Sequence, residues 1–467
     1  MPLILARMTL PPETRAIFCT RALLPDGWAR DVRVSIASGK FAGVERGASA
    51  QPGDERVAVA LPGIANVHSH GFQRGMAGLT EYRGPEADNF WSWRELMYRF
   101  VARMTPEDLE AVTAQAYVDM LEGGFTSVGE FHYVHHDVDG RPFADPAEMA
   151  ARVVAAAGTT GIALTLLPVF YAHANFGGVP AAYGQRRFVT DVEGFARLLE
   201  ASRALLVQLT DARLGVAPHS LRAVTPAELE RVVALAPNAP IHIHAAEQTR
   251  EVDDCVAWSG ARPVQWLLDH ADLDAHWCLV HATHLTDEEI ALLARSHAIA
   301  GFCPVTEANL GDGIAPASAY VAAGGTFGIG TDSNVRISVA EELRQLEYSQ
   351  RLRDRARNVL AAHSSSGGAH STGRTLYGIA QRGGARALGA TGASGISAGA
   401  PADCLSLEAG SQRSSADDAL LDSFVFASGV KIQHVWRAGR RVVVEGVHVR
   451  RAEVERRYRA ALERLVR

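Results

Sequence analysis

Two histidines one residue apart, His68 and His70 in Val67-His-Ser-His70, close an apolar run that begins at Leu61. Alternate side chains of a strand share a face, so both imidazoles can serve one ion. A second pair, His242 and His244, ends the run Pro240–His244, and Glu247 follows three residues later. Strand rise puts His244 about 6.6 Å nearer the strand's end than His242, which reads as a structural residue. His281 ends a further apolar run, and Asp332 stands in Thr331-Asp-Ser-Asn334 after another. Each group alone has a plain structural explanation: a hydrogen-bonded core histidine, or a helix N-cap for Asp332. Gathered at the same end of successive strands, they form the ligand set of a catalytic divalent ion with an open position. Zinc is the favoured ion, with iron or manganese as alternatives. Water bound to such an ion has a pKa of about 7, which makes hydroxide available at neutral pH. His132, His135, His136 and His284 lie past or beside strand ends and are given no role.

Such a set needs strands whose ends converge. Eight apolar runs alternate with helical patterns: Leu61–Val67, Thr126–Phe131, Leu164–Phe170, Leu214–Ala217, Pro240–His244, His276–His281, Ile299–Pro304 and Thr326–Thr331. The alternation predicts βα units and a parallel sheet. Eight units fit an α/β fold of the closed (β/α)8 (TIM) barrel type, with active-site side chains at the C-terminal strand ends. An open doubly wound sheet competes, but no Gly-rich nucleotide turn follows the first strand. Thr105-Pro-Glu-Asp, Thr225-Pro-Ala-Glu and Thr286-Asp-Glu-Glu predict helix starts with an acid at the third position. Short strands at both ends, in Asp31–Gly39, Arg56–Gly63 and Lys431–Val449, are expected to join into one small β domain. The expected limits are 1–60 and 391–450 for its two parts, 61–390 for the barrel, and 451–467 for an exposed, charged C-terminal helix. Ser364–Thr372, "SSSGGAHST", reads as a loop.

Composition narrows the chemistry further. The chain is 47% hydrophobic and 21% charged, as a globular protein is, and its net charge of −6 gives no case for nucleic acid or an anionic membrane. It contains no run of about 18 apolar residues, so no spanning helix is expected. The opening "MPLILARMTLPPET" makes a poor signal peptide. Cys19, Cys255, Cys278, Cys303 and Cys404 are scattered without a CxxC and read as buried thiols in a reducing compartment, with a cytoplasmic location expected. Only Lys40 and Lys431 are lysines, both near the chain ends. Schiff-base chemistry, a carbamylated-lysine bridge and a P-loop are therefore excluded, and a single ion is favoured over a bridged pair.

His68-Ser-His70, His244, His281 and Asp332 resemble the mononuclear deaminase branch of the amidohydrolase superfamily. "HSHGFQRGMAGLTE", "FWSWRELMYRF", "GEFHYVHHDVDGRPFADPAE" and "GQRRFV" resemble, more narrowly, the formimidoylglutamate deiminases of histidine degradation, over roughly Leu3 to Val449. The resemblance implies a (β/α)8 barrel with a β-sandwich built from both termini, usually as a homodimer. It implies hydrolysis of N-formimidoyl-L-glutamate to N-formyl-L-glutamate and ammonia, a small dicarboxylate amidine being the substrate. It also implies one divalent ion, Zn2+ or else Fe2+, at His68, His70, His244 and Asp332, with Glu247, His281 and Asp332 handling protons. Arg94 and Arg222 would take the substrate's carboxylates, with Gln73, Tyr133 and His219 as neutral donors. Without the resemblance, either arginine would read as a surface ion pair. Residue chemistry agrees: an amidinium suits a facing carboxylate such as Glu247, and a dicarboxylate suits guanidinium forks. Gly71, directly after the second histidine, and the stretch near Ser364 depart from the family pattern. The rival expectations are another deaminase of the same branch, acting on a nucleobase or guanidine compound, and an inactive metal-binding scaffold. A flat base would prefer stacking aromatics and amide donors over two arginines. A scaffold has no need of Glu247 and His281.

Overall fold

The computed structural model describes residues 10–83, 88–361, 370–408 and 417–466. Its first strands, β1 (Ala16–Leu24), β2 (Gly27–Ala37), β3 (Lys40–Glu45) and β4 (Glu55–Pro62), belong to a terminal sheet. The barrel follows as β5 (Ile64–Ser69), β6 (Phe125–His132) and β7 (Ala163–Phe170), with a short hairpin of β8 (His173–Asn175) and β9 (Val179–Pro180) beyond it. It continues as β10 (Arg213–Leu214), β11 (Ala217–Pro218), β12 (Ile241–Ala245), β13 (Trp277–His281), β14 (Ile299–Phe302) and β15 (Thr326–Ile329). The chain then returns to the terminal sheet as β16 (Cys404–Glu408), β17 (Lys431–Arg437), β18 (Arg440–Val444) and β19 (Val447–His448).

All eight expected barrel runs carry strand, but the first is shorter than expected. Leu61 and Pro62 pair with Leu405 and Cys404 in the terminal sheet, and the barrel strand starts at Ile64. Gly63 makes the turn between the two sheets. A Cβ there would lie 2.2 Å from the Thr126 hydroxyl, so only glycine fits. The fourth barrel strand is broken into β10 and β11. Parallel bridges from Val216 to Ile241 and from Ser220 to His244 join it to β12 and close the ring.

The chain ends meet where β4 and β16 pair antiparallel, giving one eight-stranded sheet from both termini. Period-two alternation divides its faces. Val59, Leu61, Leu405 and Val435 join the barrel core, while Ile17, Ala60, Cys404 and Trp436 form a separate cluster. Thr105, Thr225 and Thr286 cap their helices as expected, each in a reciprocal capping box with Asp108, Glu228 and Glu289. The C-terminal helix, Arg451–Leu465, corrects the expectation of an exposed one. It buries Val454, Ala461 and Leu465, and Arg451, Arg457 and Arg464 pair with Asp119, Glu110 and Asp108 of the helix Pro106–Glu122. The opening apolar patch before Leu10 and most of the stretch Ser364–Thr372 lie outside the described residues. The last part of that stretch begins the helix Thr372–Ala387, with Ser371 as its N-cap. All five cysteines are buried and free, and no described helix is long and apolar enough to cross a membrane.

The seam between β15 and β5 carries a buried polar lattice beyond the last ladder pair, Ile329 with Asn66. Asp332 N donates to His68 O at 2.9 Å, and His70 N donates to Asp332 O at 3.0 Å. Asn334 Nδ2 donates to the Ser69 hydroxyl, His70 O and Asp332 O, all within 3.2 Å. Thr331 links Asn334 to Asn66 through hydroxyl bonds of 2.6 and 2.7 Å. Removing the Asn334 amide leaves buried acceptors unmet, at about 1–3 kcal/mol for such a group. Asn334→Ala is therefore expected to lower the urea-unfolding free energy by about that much, and an unchanged midpoint would contradict the lattice's role.

Candidate active site

At the mouth of the barrel, His68 Nε2 lies 3.2 Å from His70 Nε2 and 3.0 Å from His244 Nε2. Asp332 Oδ1 lies 3.3 Å and 3.2 Å from the Nε2 atoms of His68 and His70. Donors bound at 2.0–2.1 Å to one tetrahedral ion stand about 3.3–3.4 Å apart, so this spacing fits four ligands around a small cation. The second ring nitrogens fix the tautomers. His70 Nδ1–H donates to Phe131 O at 2.9 Å and His244 Nδ1–H to His219 O at 3.0 Å, which leaves both Nε2 lone pairs facing the cluster. Burial lowers the pKa of His68 to about 3 and that of His244 well below its ordinary value, so both rings are neutral, the form that binds a metal. Burial alone would raise the Asp332 carboxyl, but the adjacent His68 and His70 hold it well below the usual range and keep it ionised. The donor set thus fits one divalent ion.

His281 and Glu247 flank this cluster. His281 Nε2 is 3.7 Å from Glu247 Oε1 and 4.0 Å from Asp332 Oδ2, while its Nδ1 is 3.4 Å from Glu307 Oε1. Burial opposes a charge on His281, yet Glu247, the Glu307 hydrogen bond and Asp332 together outweigh it and hold the imidazole pKa up to about 10. Burial pushes the Glu247 carboxyl up, against the pull of His281 and Arg222. Backbone geometry aims these groups. His281 and Asp332 have φ of +70° and +43°, left-handed values that cost roughly 1–3 kcal/mol each away from glycine and occur where a site over-determines them.

Glu247, His281, His244 and Asp332 line a cavity together with Arg94, Arg222, Tyr98 and Tyr133. Arg222 NH2 reaches Glu247 Oε2 at 3.8 Å. Gln73 Nε2 donates to the Tyr133 hydroxyl at 3.0 Å, and His219 Nδ1 meets the Ser220 hydroxyl at 3.1 Å. Buried atoms of three of these side chains, Arg94 Nε, Arg222 Nε and Gln73 Oε1, have no hydrogen-bond partner among the described residues. Unspent buried capacity of both signs suits a small polar, anionic ligand. Trp91, on the helix Phe90–Val101, sits 4.6 Å from the Arg94 guanidinium and 4.7 Å from that of Arg250.

The residues singled out for the site from the sequence all converge here: His68, His70, Gln73, Arg94, Tyr133, His219, Arg222, His244, His281 and Asp332 gather around Glu247. His242 bonds the Ala387 carbonyl at 2.8 Å, away from the cluster, as its depth suggested. His135, His136 and His284 likewise bond backbone carbonyls. Sequence reasoning missed three buried acids. Glu130 accepts the Gly71 amide at 2.5 Å and the Tyr117 hydroxyl at 3.2 Å; burial raises its pKa to about 7. Glu307 lies behind His281, and Asp312 is near both Glu247 and His281. The first had a signal in the departure at Gly71. A Cβ there would lie 2.8 Å from Thr113 Cγ2 and 3.1 Å from Glu130 Oε1, so the glycine lets the acid close under the histidine turn.

Comparison with known proteins agrees with this geometry. The amidohydrolase family matches residues 59–442, and the N-terminal domain of formimidoylglutamate deiminase HutF matches residues 14–58. A formimidoylglutamate deiminase of Pseudomonas aeruginosa is 52% identical over 93% of this chain and 95% of its own. The crystal structure of an amidohydrolase from Brucella melitensis superposes with a TM-score of 0.94 at 56% identity, covering 97% of this chain and 100% of that one. A zinc-bound adenosine deaminase from Xanthomonas campestris shares the fold, with a TM-score of 0.78 at 24% identity over 98% of this chain and 100% of its own. The chain belongs to the amidohydrolase family, among its formimidoylglutamate deiminases.

Proposed function

We propose that this chain hydrolyses N-formimidoyl-L-glutamate to N-formyl-L-glutamate and ammonia, with one divalent ion held by His68, His70, His244 and Asp332. The observation that carries it is a single cavity lined both by the ion cluster with Glu247 and His281 and by the guanidiniums Arg94 and Arg222, whose buried Nε donors are unspent among the described residues. The relative from Pseudomonas aeruginosa supports the same substrate. Three imidazoles and one carboxylate favour zinc, with iron as the alternative.

A divalent ion held by these residues would supply a water acidic enough to be hydroxide at neutral pH. Its charge would also favour the neutral form of the neighbouring His281, and His281 and Asp332, beside that position, would then take the water's proton as the formimino carbon is attacked. Glu247 faces the amidinium as a carboxylate and offsets its charge; the proton taken from water then passes from His281 Nε2, 3.7 Å away, through Glu247 to the terminal nitrogen, which leaves as ammonia. Arg94 and Arg222 pair with the two carboxylates, while Gln73, Tyr133 and His219 offer neutral bonds that orient the chain between them. A nucleobase would offer no carboxylate to either guanidinium, which disfavours it. A homodimer and a cytoplasmic location belong to the same proposal. Light scattering at twice the 50.0 kDa chain mass checks the former, and the five free thiols favour a reducing compartment.

Proton NMR of N-formimidoyl-L-glutamate with zinc-loaded protein, run with an ammonia assay, is expected to give N-formylglutamate and equal ammonia. Formamide and glutamate in their place would reverse the proton assignment. Glu247→Ala is expected to lower kcat by about 10²–10⁴-fold while zinc stays bound, as measured by metal analysis. Arg94→Gln and Arg222→Gln should each cost about 2 kcal/mol in kcat/KM, about 30-fold, chiefly through KM; activity insensitive to both would argue for a non-dicarboxylate substrate.

A further inference from the structure

The helix Pro304–Leu310, which follows β14, carries Glu307 directly behind the ring of His281. Glu307 is 4% exposed, and its Oε1 accepts the Cys303 amide at 2.8 Å while standing 3.4 Å from His281 Nδ1. The helix is itself tied to the strand end that carries Asp332: the Thr306 hydroxyl donates to Thr331 O at 3.2 Å and meets the Ser333 hydroxyl at 3.0 Å. The carboxylate therefore has one fixed place. From that place it faces the one nitrogen of His281 that does not face Glu247 and Asp332.

We propose that Glu307 is a positioning residue for His281. It takes the Nδ1–H, fixes the ring's tautomer and rotation, and so turns Nε2 toward the position of the attacking water. As the imidazolium His281 carries a proton on both nitrogens, and the neutral ring that accepts from water keeps only one, on the nitrogen whose neighbour accepts it. Without an acceptor at Nδ1, the proton can sit on Nε2 and the ring cannot take one from water there. The ring also stacks on His244, at 5.4 Å between centroids and 14° between planes, while Glu247 and Asp332 stand 3.7 and 4.0 Å from Nε2, beyond hydrogen-bond distance.

The inference rests on His281 acting as a proton acceptor in the proposed reaction. A plainer account also exists: Glu307 only caps its own helix through the Cys303 amide. The two separate in an experiment on the zinc-loaded full chain with Glu307→Gln, Glu307→Leu and His281→Ala. Each variant is followed by kcat, KM, zinc per chain and thermal midpoint. The ring tautomers are read from long-range 1H–15N correlations of imidazole, in both the zinc-loaded and zinc-free protein. His281 signals are assigned by their loss in His281→Ala.

Glu307→Leu is expected to lower kcat about 100-fold with KM within twofold and zinc at the wild-type ratio, and to move the His281 proton off Nδ1. Glu307→Gln keeps a carbonyl acceptor at the same place. It should retain Nδ1–H and stay within about tenfold of the wild-type kcat. A lowered thermal midpoint with kcat and tautomer unchanged in both variants would overturn the proposal and leave a helix cap. Loss of zinc in Glu307→Gln would also overturn it. Should Glu307→Leu fail to fold, the tautomer of Glu307→Gln still decides, since a proton on Nε2 there contradicts the proposal. Full activity in His281→Ala would instead count against the catalytic role on which it rests.

Discussion

The meeting of the first and last barrel strands governs the rest of the site. His68 and His70 leave β5 at the level where Asp332 leaves the end of β15, and the backbones of these three residues hydrogen-bond to one another. Because the ladder has already ended, side chains must complete the seam. Asn66, Thr331 and Asn334 do so with bonds buried from solvent. Three of the four ion-facing donors are thereby fixed by one closure. The fourth, His244, arrives from the opposite side through the Ser220 bridge that closes the ring again. A site assembled this way depends on the barrel closing, and its rigidity comes from main-chain bonds rather than from the ion.

Histidine appears here in two opposite electrostatic states, and burial by itself does not separate them. His68, His244 and His281 are all deeply buried. His68 has Asp332 at 3.3 Å and His244 is faced chiefly by other imidazoles, but burial outweighs what offsets it at both and they stay neutral. His281 has Glu247, Glu307 and Asp332 within 4.0 Å, and this excess of negative charge favours the imidazolium. The same residue type can thus hold an ion on one side of the cavity and carry a proton on the other. The cations Arg94 and Arg222 line the same cavity, Arg222 within 3.8 Å of Glu247.

The pattern of eight apolar runs, the threonine caps and the paired histidines were legible in the sequence because each is a local regularity. Strand alternation, capping chemistry and the convergence of strand ends are short-range consequences of backbone geometry. The first barrel strand was misjudged at its start because Leu61 and Pro62 are as apolar as the residues of β5. Only the steric demand at Gly63 shows that the chain changes sheets there. The C-terminal helix looked exposed since its charges are dense along the sequence. In the fold those charges face a helix of opposite sign more than three hundred residues earlier.

By itself the sequence determined the fold class, the candidate ion ligands and, through its resemblance to a known family, the substrate expected in the cavity. Those stem from residue types at strand ends, which the period of a strand aligns whatever surrounds them. Only the tertiary structure decided how protons are held. Glu130, Glu307 and Asp312 carry no motif, and each gains its importance from being buried beside a group remote in sequence. Burial and charge proximity are properties of packing, and no spacing along a chain encodes them.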